Sequence, residues 1–314
     1  MPEPGHSRGE DLTPQGPSLG ADPTPTVAPG PAGTRFAEVR WFEALDSTNR
    51  YLLNEARRGA PEGLVVVADH QSAGRGRLGR RWEAPRAANL LVSILLRPRL
   101  PVDARHLASA VVALAAADAC QALSGVAVEV KWPNDLLVGG RKLAGVLAEA
   151  DVGAEDRSPI VVGIGINVAW PPRPSGDRTD PETADQTAPD AASTLRTEVT
   201  DVADTATSLL RECGQPVDRA QLLERLLVGL EPRVAALDSP GGRSGQAADL
   251  QDRCSTIGAR VRVDTATASF VGTALSVTVQ GHLVVDVDHQ GPRTVVVGDV
   301  IHLRMAPEQG RGPE

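Results

Sequence analysis

Between Ala104 and Leu123 the chain carries an alanine-rich stretch whose apolar side chains lie around most of its helical circumference. A helix without a polar face is stable only where other elements cover it, so the segment predicts a buried helix. Its longest apolar part, about Leu107 to Ala117, is shorter than the roughly 20 residues that a bilayer-crossing helix needs. No signal-like apolar region follows the N-terminus, and the expectation is a cytoplasmic chain with no membrane partner. Short apolar runs bounded by turn formers predict strands at Phe36–Phe42, Gly63–Asp69, Asn89–Leu96, Val126–Lys131, Leu136–Val138, Leu143–Ala150 and Ile160–Val168. Asp46-Ser47-Thr48-Asn49, ahead of Tyr51, Leu52, Leu53 and Ala56, predicts a helix N-terminus.

At 314 residues the chain is long enough for two domains and a sizeable core. Residues 1–34 hold eight prolines and six glycines and almost no large apolar side chain, which predicts a disordered tail. Five prolines and five acids without periodicity predict a long exposed loop over residues 169–191. Helical patterns return at Val199–Glu212 and Arg219–Leu237, separated by linker-like Ser239–Gly245 from a run of short alternating segments, Ala259–Arg304, that predicts a small β-barrel. The formal charge of −8 argues against a general nucleic-acid binder. Three scattered cysteines, Cys120, Cys213 and Cys254, form neither a disulfide framework nor a metal-ligand spacing, and fit a reducing compartment.

Three stretches carry chemistry. Gly74 to Arg86 places five arginines and one glutamate within thirteen residues of an acidic chain. It contains G-x-G-x-x-G, but Pro85 follows closely and Arg97-Pro98-Arg99 stands where a dinucleotide fold needs an acid. Glycines allow close backbone approach and guanidinium groups bond carboxylate or phosphate, so the loop reads as an anion site. A solvated basic loop or an RGG-like segment remains open for this stretch alone, while Trp82 favours a pocket that also takes a flat ring. The second stretch, Lys131-Trp132-Pro133-Asn134-Asp135, follows a strand, and the Gly139-Gly140 turn should return the chain so that Lys142 lies near Asn134 and Asp135. Taken singly, Lys142 reads more readily as a solvated strand-end lysine. The third, Gly163-Ile164-Gly165-Ile166-Asn167, puts glycines and one polar residue in an apolar strand, where Asn167 needs a partner.

Together with Asp46-Ser47-Thr48-Asn49 and Gln71-Ser72-Ala73, these motifs resemble the biotin protein ligase family in order and spacing over about residues 36–305. The resemblance implies an α+β fold: a mixed, largely antiparallel sheet with flanking helices, of class II synthetase type, followed by a small SH3-like β-barrel. The implied division is a tail over 1–34, a catalytic domain over 35–245, the barrel over 255–305 and a frayed end over 306–314. It implies an ATP-dependent, AMP-forming ligase that makes biotinyl-5′-AMP from biotin and ATP. Biotin is then transferred to a lysine of a biotin carboxyl carrier domain of acyl-CoA carboxylases.

By the same resemblance Ser47, Thr48, Asn49, Gln71, Arg75, Gly76, Arg77, Lys142 and Gly145 are the biotin-binding residues. Arg80, Trp82, Lys131, Asn134, Asp135 and Asn167 fall on the ATP and adenylate side, and Lys142, Arg77 and Asp135 are the catalytic candidates. ATP and biotin are substrates, Mg²⁺ arrives with ATP, and no protein metal site is expected. Some family members carry an N-terminal helix-turn-helix, which the Pro/Gly-rich residues 1–34 cannot form, so an enzyme without nucleic-acid binding is expected, as a monomer or a weak ligand-dependent homodimer. The alternatives are a lipoate- or octanoate-type acyl-adenylating ligase and a non-catalytic biotin-binding regulator.

Overall fold

A computed structural model of the chain describes residues 24–150, 158–171 and 205–303. In chain order it contains β1 (Thr26–Pro29), β2 (Glu38–Phe42), α1 (Thr48–Arg57), β3 (Leu64–Ala68), β4 (Leu90–Leu96), α2 (His106–Ser124), β5 (Glu129–Lys131), β6 (Asp135–Val138), β7 (Arg141–Ala150) and β8 (Ile160–Ile166). After these come α3 (Leu209–Cys213), α4 (Arg219–Ala236), α5 (Pro240–Arg253), β9 (Arg260–Asp264), β10 (Ser269–Val277), β11 (Leu283–Val287), β12 (Gly291–Val295) and β13 (Asp299–His302).

The first eight strands form one mixed sheet in the order β1-β2-β3-β4-β8-β7-β6-β5. β2 and β3 run parallel, and the remaining neighbours are antiparallel. Every residue of β3 and β4 is buried, because both faces of the sheet are covered there. One face packs on α2, whose Leu107, Val111 and Leu114 are fully enclosed, with α4 and α5 against that helix. The helix therefore has its apolar circumference covered by protein, as its sequence requires. By length and composition the segment Val102–Ser124 would in fact suffice to cross a bilayer, but 67% of its most apolar window is buried inside the molecule, the place of a core helix. Burial pushes the Cys120 thiol on α2 up to about 12, and all three cysteines are free.

The opposite face carries α1, which seals Phe42, Leu52, Leu64, Val66, Leu95 and Val161 into a second cluster. Ser47 caps α1 by accepting from the Arg50 N–H. The capping sequence thus starts its helix where expected.

Three expectations change. Residues 26–29, placed in the tail by composition, form β1, because their backbone pairs with the exposed edge of β2. Of the helix expected at Val199–Glu212 the described part is only Leu209–Cys213: Ala206 pairs with Lys142 instead, and Ser208 caps the short helix. Ser239–Gly245 is not a linker but the first turns of α5, with Ser239 as N-cap and Pro240 in the first turn, where a missing N–H costs nothing. A Cβ on Gly242 would lie 2.1 Å from the Ala236 carbonyl oxygen, so the glycine allows α5 to turn tightly against α4. The C-terminal strands, where the small barrel is expected, form a five-stranded antiparallel sheet ordered β12-β11-β10-β9-β13. The loop expected over 169–191 and the frayed end lie almost wholly outside the described residues.

Trp132 joins the two sheets. It is 1% exposed and packs among Val261, Val263, Leu283 and Val285 of the second sheet. Its backbone N–H donates to Thr256 Oγ1 at 3.0 Å and its indole Nε1–H to the Gly281 carbonyl at 3.0 Å.

Candidate active site

The α1 face of the large sheet opens, beyond α1, into a cavity floored by β4, β7 and β8 and roofed by residues 74–82. Two lateral rows of the sheet build its floor. Ser93, Gly163 and Leu147 are register partners across β4, β8 and β7, and Leu91, Gly165, Gly145 and Asp135 are partners two residues further on. Residues two apart on a strand share a face, so both rows point toward the cavity.

The glycines are there for what lies on them. A Cβ on Gly163 would sit 2.2 Å from Asn49 Oδ1, and one on Gly165 would sit 2.6 Å from Trp82 Cε2. Gly145 lies under both the Trp82 ring and the Lys142 ammonium, each 3.2 Å from its notional Cβ. The indole Nε1–H of Trp82 is buried with no hydrogen-bond partner, a donor free for a ligand.

Lys142 reaches this floor through a β-bulge. The β6–β7 register pairs Leu136 with Ala144 but Leu137 with Lys142, so Leu143 is the extra residue. Strict alternation would put Lys142 and Gly145 on opposite faces of the sheet; the bulge turns the lysine toward the glycine's face. There Lys142 Nζ lies 2.8 Å from Asp135 Oδ1 and 5.6 Å from the Trp82 ring centroid. Gly139 and Gly140, at φ 55° and 77°, make the tight turn that brings Lys142 back beside Asp135, as the sequence predicts.

The roof is the arginine-rich loop. Its Gly76 N–H donates to the Arg80 carbonyl at 2.7 Å and its Trp82 N–H to the Gly74 carbonyl at 3.0 Å, closing a small hairpin. No helix opens at its last glycine; a single 3-10 turn, Arg77–Gly79, lies at its tip, so the dinucleotide reading is excluded structurally as well. Arg77 donates to Asn134 Oδ1 at 3.3 Å and to the Gly298 carbonyl at 3.2 Å, and Arg80 pairs with Asp299. Burial holds the Arg77 guanidinium below its ordinary pKa, and Arg80 beside it adds to the fall while Asp299 and Asp135 oppose it. A half-desolvated cation of this kind gains most from an anion placed next to it.

The other end of the cavity is polar and uncharged. Ser47, Thr48 and Asn49 come from the first turn of α1, and Gln71 faces them, its Oε1 accepting from the Thr48 N–H at 2.8 Å.

Of the fifteen site residues that the resemblance implies, thirteen line this one cavity: Ser47, Thr48, Asn49, Gln71, Arg75, Gly76, Arg77, Arg80, Trp82, Asn134, Asp135, Lys142 and Gly145. Lys131 and Asn167 do not line it. Asn167 is buried behind the floor, accepting from Asn89 Nδ2 at 2.9 Å and donating to the Lys142 carbonyl at 3.4 Å, so its need for a partner is met within the protein. The sequence missed Asp299, which comes from the second sheet and carries no local signal. It also missed Ser93, for which a signal existed: a lone hydroxyl in the otherwise apolar Leu90–Leu96.

Comparison with known proteins places the chain among relatives. Residues 41–167 match the model of the biotin/lipoate A/B protein ligase family. A biotin--[acetyl-CoA-carboxylase] ligase of Mycobacterium tuberculosis is 36% identical over 281 residues, 87% of this chain and 92% of that protein. The chain belongs to the biotin protein ligase family. A bifunctional ligase/repressor of Bacillus subtilis is 28% identical over 83% of this chain and 72% of its own length. In fold, a biotin protein ligase from Aquifex aeolicus, solved in complex with biotin and ATP, matches with a TM-score of 0.66 at 23% identity, over 85% of this chain and 99% of that one. The α+β fold with its mixed sheet and second C-terminal sheet is thus that of the family's biotin ligases.

Proposed function

We propose that this member of the family is an ATP-dependent biotin ligase acting on a lysine of a biotin carboxyl carrier domain. One observation carries the assignment: a single cavity joins an uncharged polar end, suited to a ureido ring, to an end lined by arginines, and Lys142 stands between them beside Asp135.

In the first step a biotin carboxylate oxygen attacks the α-phosphorus of ATP. A C(O)O–P bond forms, the bond to the β-phosphate bridge breaks, and pyrophosphate leaves. Coulomb repulsion between carboxylate and triphosphate opposes the approach, and fixed cations aimed at the developing charge lower that barrier. Arg75, Arg77, Arg80 and Lys142 are the cations around the cavity. Mg²⁺ would add to this neutralisation; the cavity's acids, Asp135 and Asp299, already face Lys142 and Arg80, a set that fits an ion carried mainly by the phosphates. Trp82 offers its ring and its unpartnered indole N–H to the base. In the second step the carrier lysine, having lost a proton, attacks the mixed anhydride carbonyl and AMP leaves. Asp135 is the carboxylate placed to orient or accept that proton. The hairpin roof limits hydrolysis of the anhydride by excluding water.

A lipoate- or octanoate-type ligase would be served by an apolar end, whereas Ser47, Thr48, Asn49 and Gln71 make this one polar. Arg77 and Arg80 are engaged with Asn134, Gly298 and Asp299, which supports a small-anion site over an RNA-binding loop. The reaction's substrates are those of the cytoplasm, where we place the protein.

The test is exchange of labelled pyrophosphate into ATP with Mg²⁺ and biotin, lipoate or octanoate. Exchange with biotin alone is expected; exchange only with another acid, or with none, overturns the assignment.

A further inference from the structure

Beneath the polar end of the cavity lies a hydrogen-bond chain whose proton directions are fixed by its far end. Asn49 Nδ2 donates to the Leu147 carbonyl at 3.1 Å and to Glu149 Oε2 at 2.7 Å. Both amide protons are thereby spent, and the amide cannot be turned round without facing its oxygen to those acceptors. Asn49 Oδ1, which can only accept, lies 2.6 Å from Ser93 Oγ. Ser93 is fully buried and has one proton. Were that proton directed elsewhere, two oxygens would face each other unbridged at this distance in the protein interior, so it belongs to Asn49.

The consequence passes to Thr48. Its Oγ1 lies 2.7 Å from Ser93 Oγ and 3.1 Å from Gln71 Oε1. With the Ser93 proton already committed, the shorter contact, 2.7 Å to Ser93, is bridged by the Thr48 hydroxyl proton, with Gln71 Oε1 at 3.1 Å as its second acceptor. Gln71 Oε1 keeps the Thr48 backbone N–H as its donor at 2.8 Å. Thr48, which lines the cavity, is left presenting lone pairs to whatever binds there.

We infer that Ser93 is a positioning residue for ligand specificity: through Asn49 and Glu149 it locks the Thr48 hydroxyl as an acceptor, so that the pocket selects acids whose ring carries an N–H. The inference rests on the biotin reading above and names the device by which the pocket tells a urea from an isosteric ring without N–H donors. Gly163 is part of the device, since a Cβ there would expel Asn49 from its place.

The experiment measures biotin-dependent pyrophosphate exchange beside exchange with a carbonate analogue in which both ureido nitrogens are replaced by oxygen. In Ser93→Ala the Thr48 hydroxyl loses the acceptor that orients it and turns toward Gln71 Oε1 or into the cavity, so its lone pairs no longer face the ligand's N–H: KM for biotin rises about tenfold and the preference for biotin over the carbonate falls by a similar factor. KM for ATP and kcat stay at wild-type values, and Ser93→Thr restores the preference. Glu149→Ala, at a half-buried position, releases the Asn49 amide and shifts the preference in the same direction to a smaller degree. Wild-type exchange with an unaltered preference in Ser93→Ala and Glu149→Ala overturns the inference alone. A wild-type chain that turns over neither acid overturns the ligase reading and this inference with it.

Discussion

The floor and the roof of the cavity are built on opposite principles. The floor consists of ladder-paired strands with its polar groups bonded to one another, and Ser93, Asn49 and Thr48 are each less than a tenth exposed. The roof is a nine-residue hairpin with Arg75, Leu78, Gly79, Arg80 and Arg81 exposed and Leu78 held at φ 56°. Its links to the body are few: Arg77 to Asn134 and Gly298, Arg80 to Asp299, and the Trp82 ring on Gly145 and Gly165. The difference teaches a division of labour. On the proposed reading, recognition of an uncharged ring is set into the fold before any ligand arrives, whereas charge neutralisation is left to a segment with few ties to the body.

Lys142 is the side chain on which both walls converge, and its removal has the largest expected effect. Lys142→Ala should lower pyrophosphate exchange and biotin transfer by about 10³-fold, with an unchanged thermal midpoint because the side chain is partly exposed. An undiminished exchange rate would separate the two walls and leave the floor without a catalytic part. Gly165→Ala sharpens the comparison from the floor: the new methyl would displace Trp82, raising KM for ATP about tenfold while biotin affinity holds, readable by initial rates at varied ATP. A fall in biotin affinity instead would mean that floor and roof do not act separately. The smallest effect belongs to the roof's outer latch. Asp299→Asn removes a pair whose arginine is 64% exposed, and a change of about two- to threefold in KM for ATP is expected, shrinking further at high salt.

Much of this arrangement can be read from the residues, and the exceptions have physical reasons. Capping by Ser47, the Gly139-Gly140 turn and the buried helix are local in cause, and local pattern reveals them. α5 escaped because its glycines read as a linker, while Ser239, Pro240 and the buried Ala247 and Leu250 outweigh their cost. β1 escaped because its pairing partner, β2, supplies what its composition lacks. In the site, the motifs brought thirteen residues to one cavity, but no sequence pattern shows the bulge at Leu143 that turns Lys142 to the correct face. Nor does one show Asp299 arriving from the second sheet, since that contact depends on how two sheets dock.

That docking has a thermodynamic side. Trp132 belongs to the chain of the first sheet and to the core of the second, and the residues on either side of it include Lys131, Asn134 and Asp135. Excising the five C-terminal strands would put a whole indole in water and unseat the loop that carries Asp135, so the large sheet is not an autonomous catalytic core. The two sheets should instead melt in a single cooperative transition, with the last strands of the chain contributing as much to the survival of the reaction centre as the strands that form its floor.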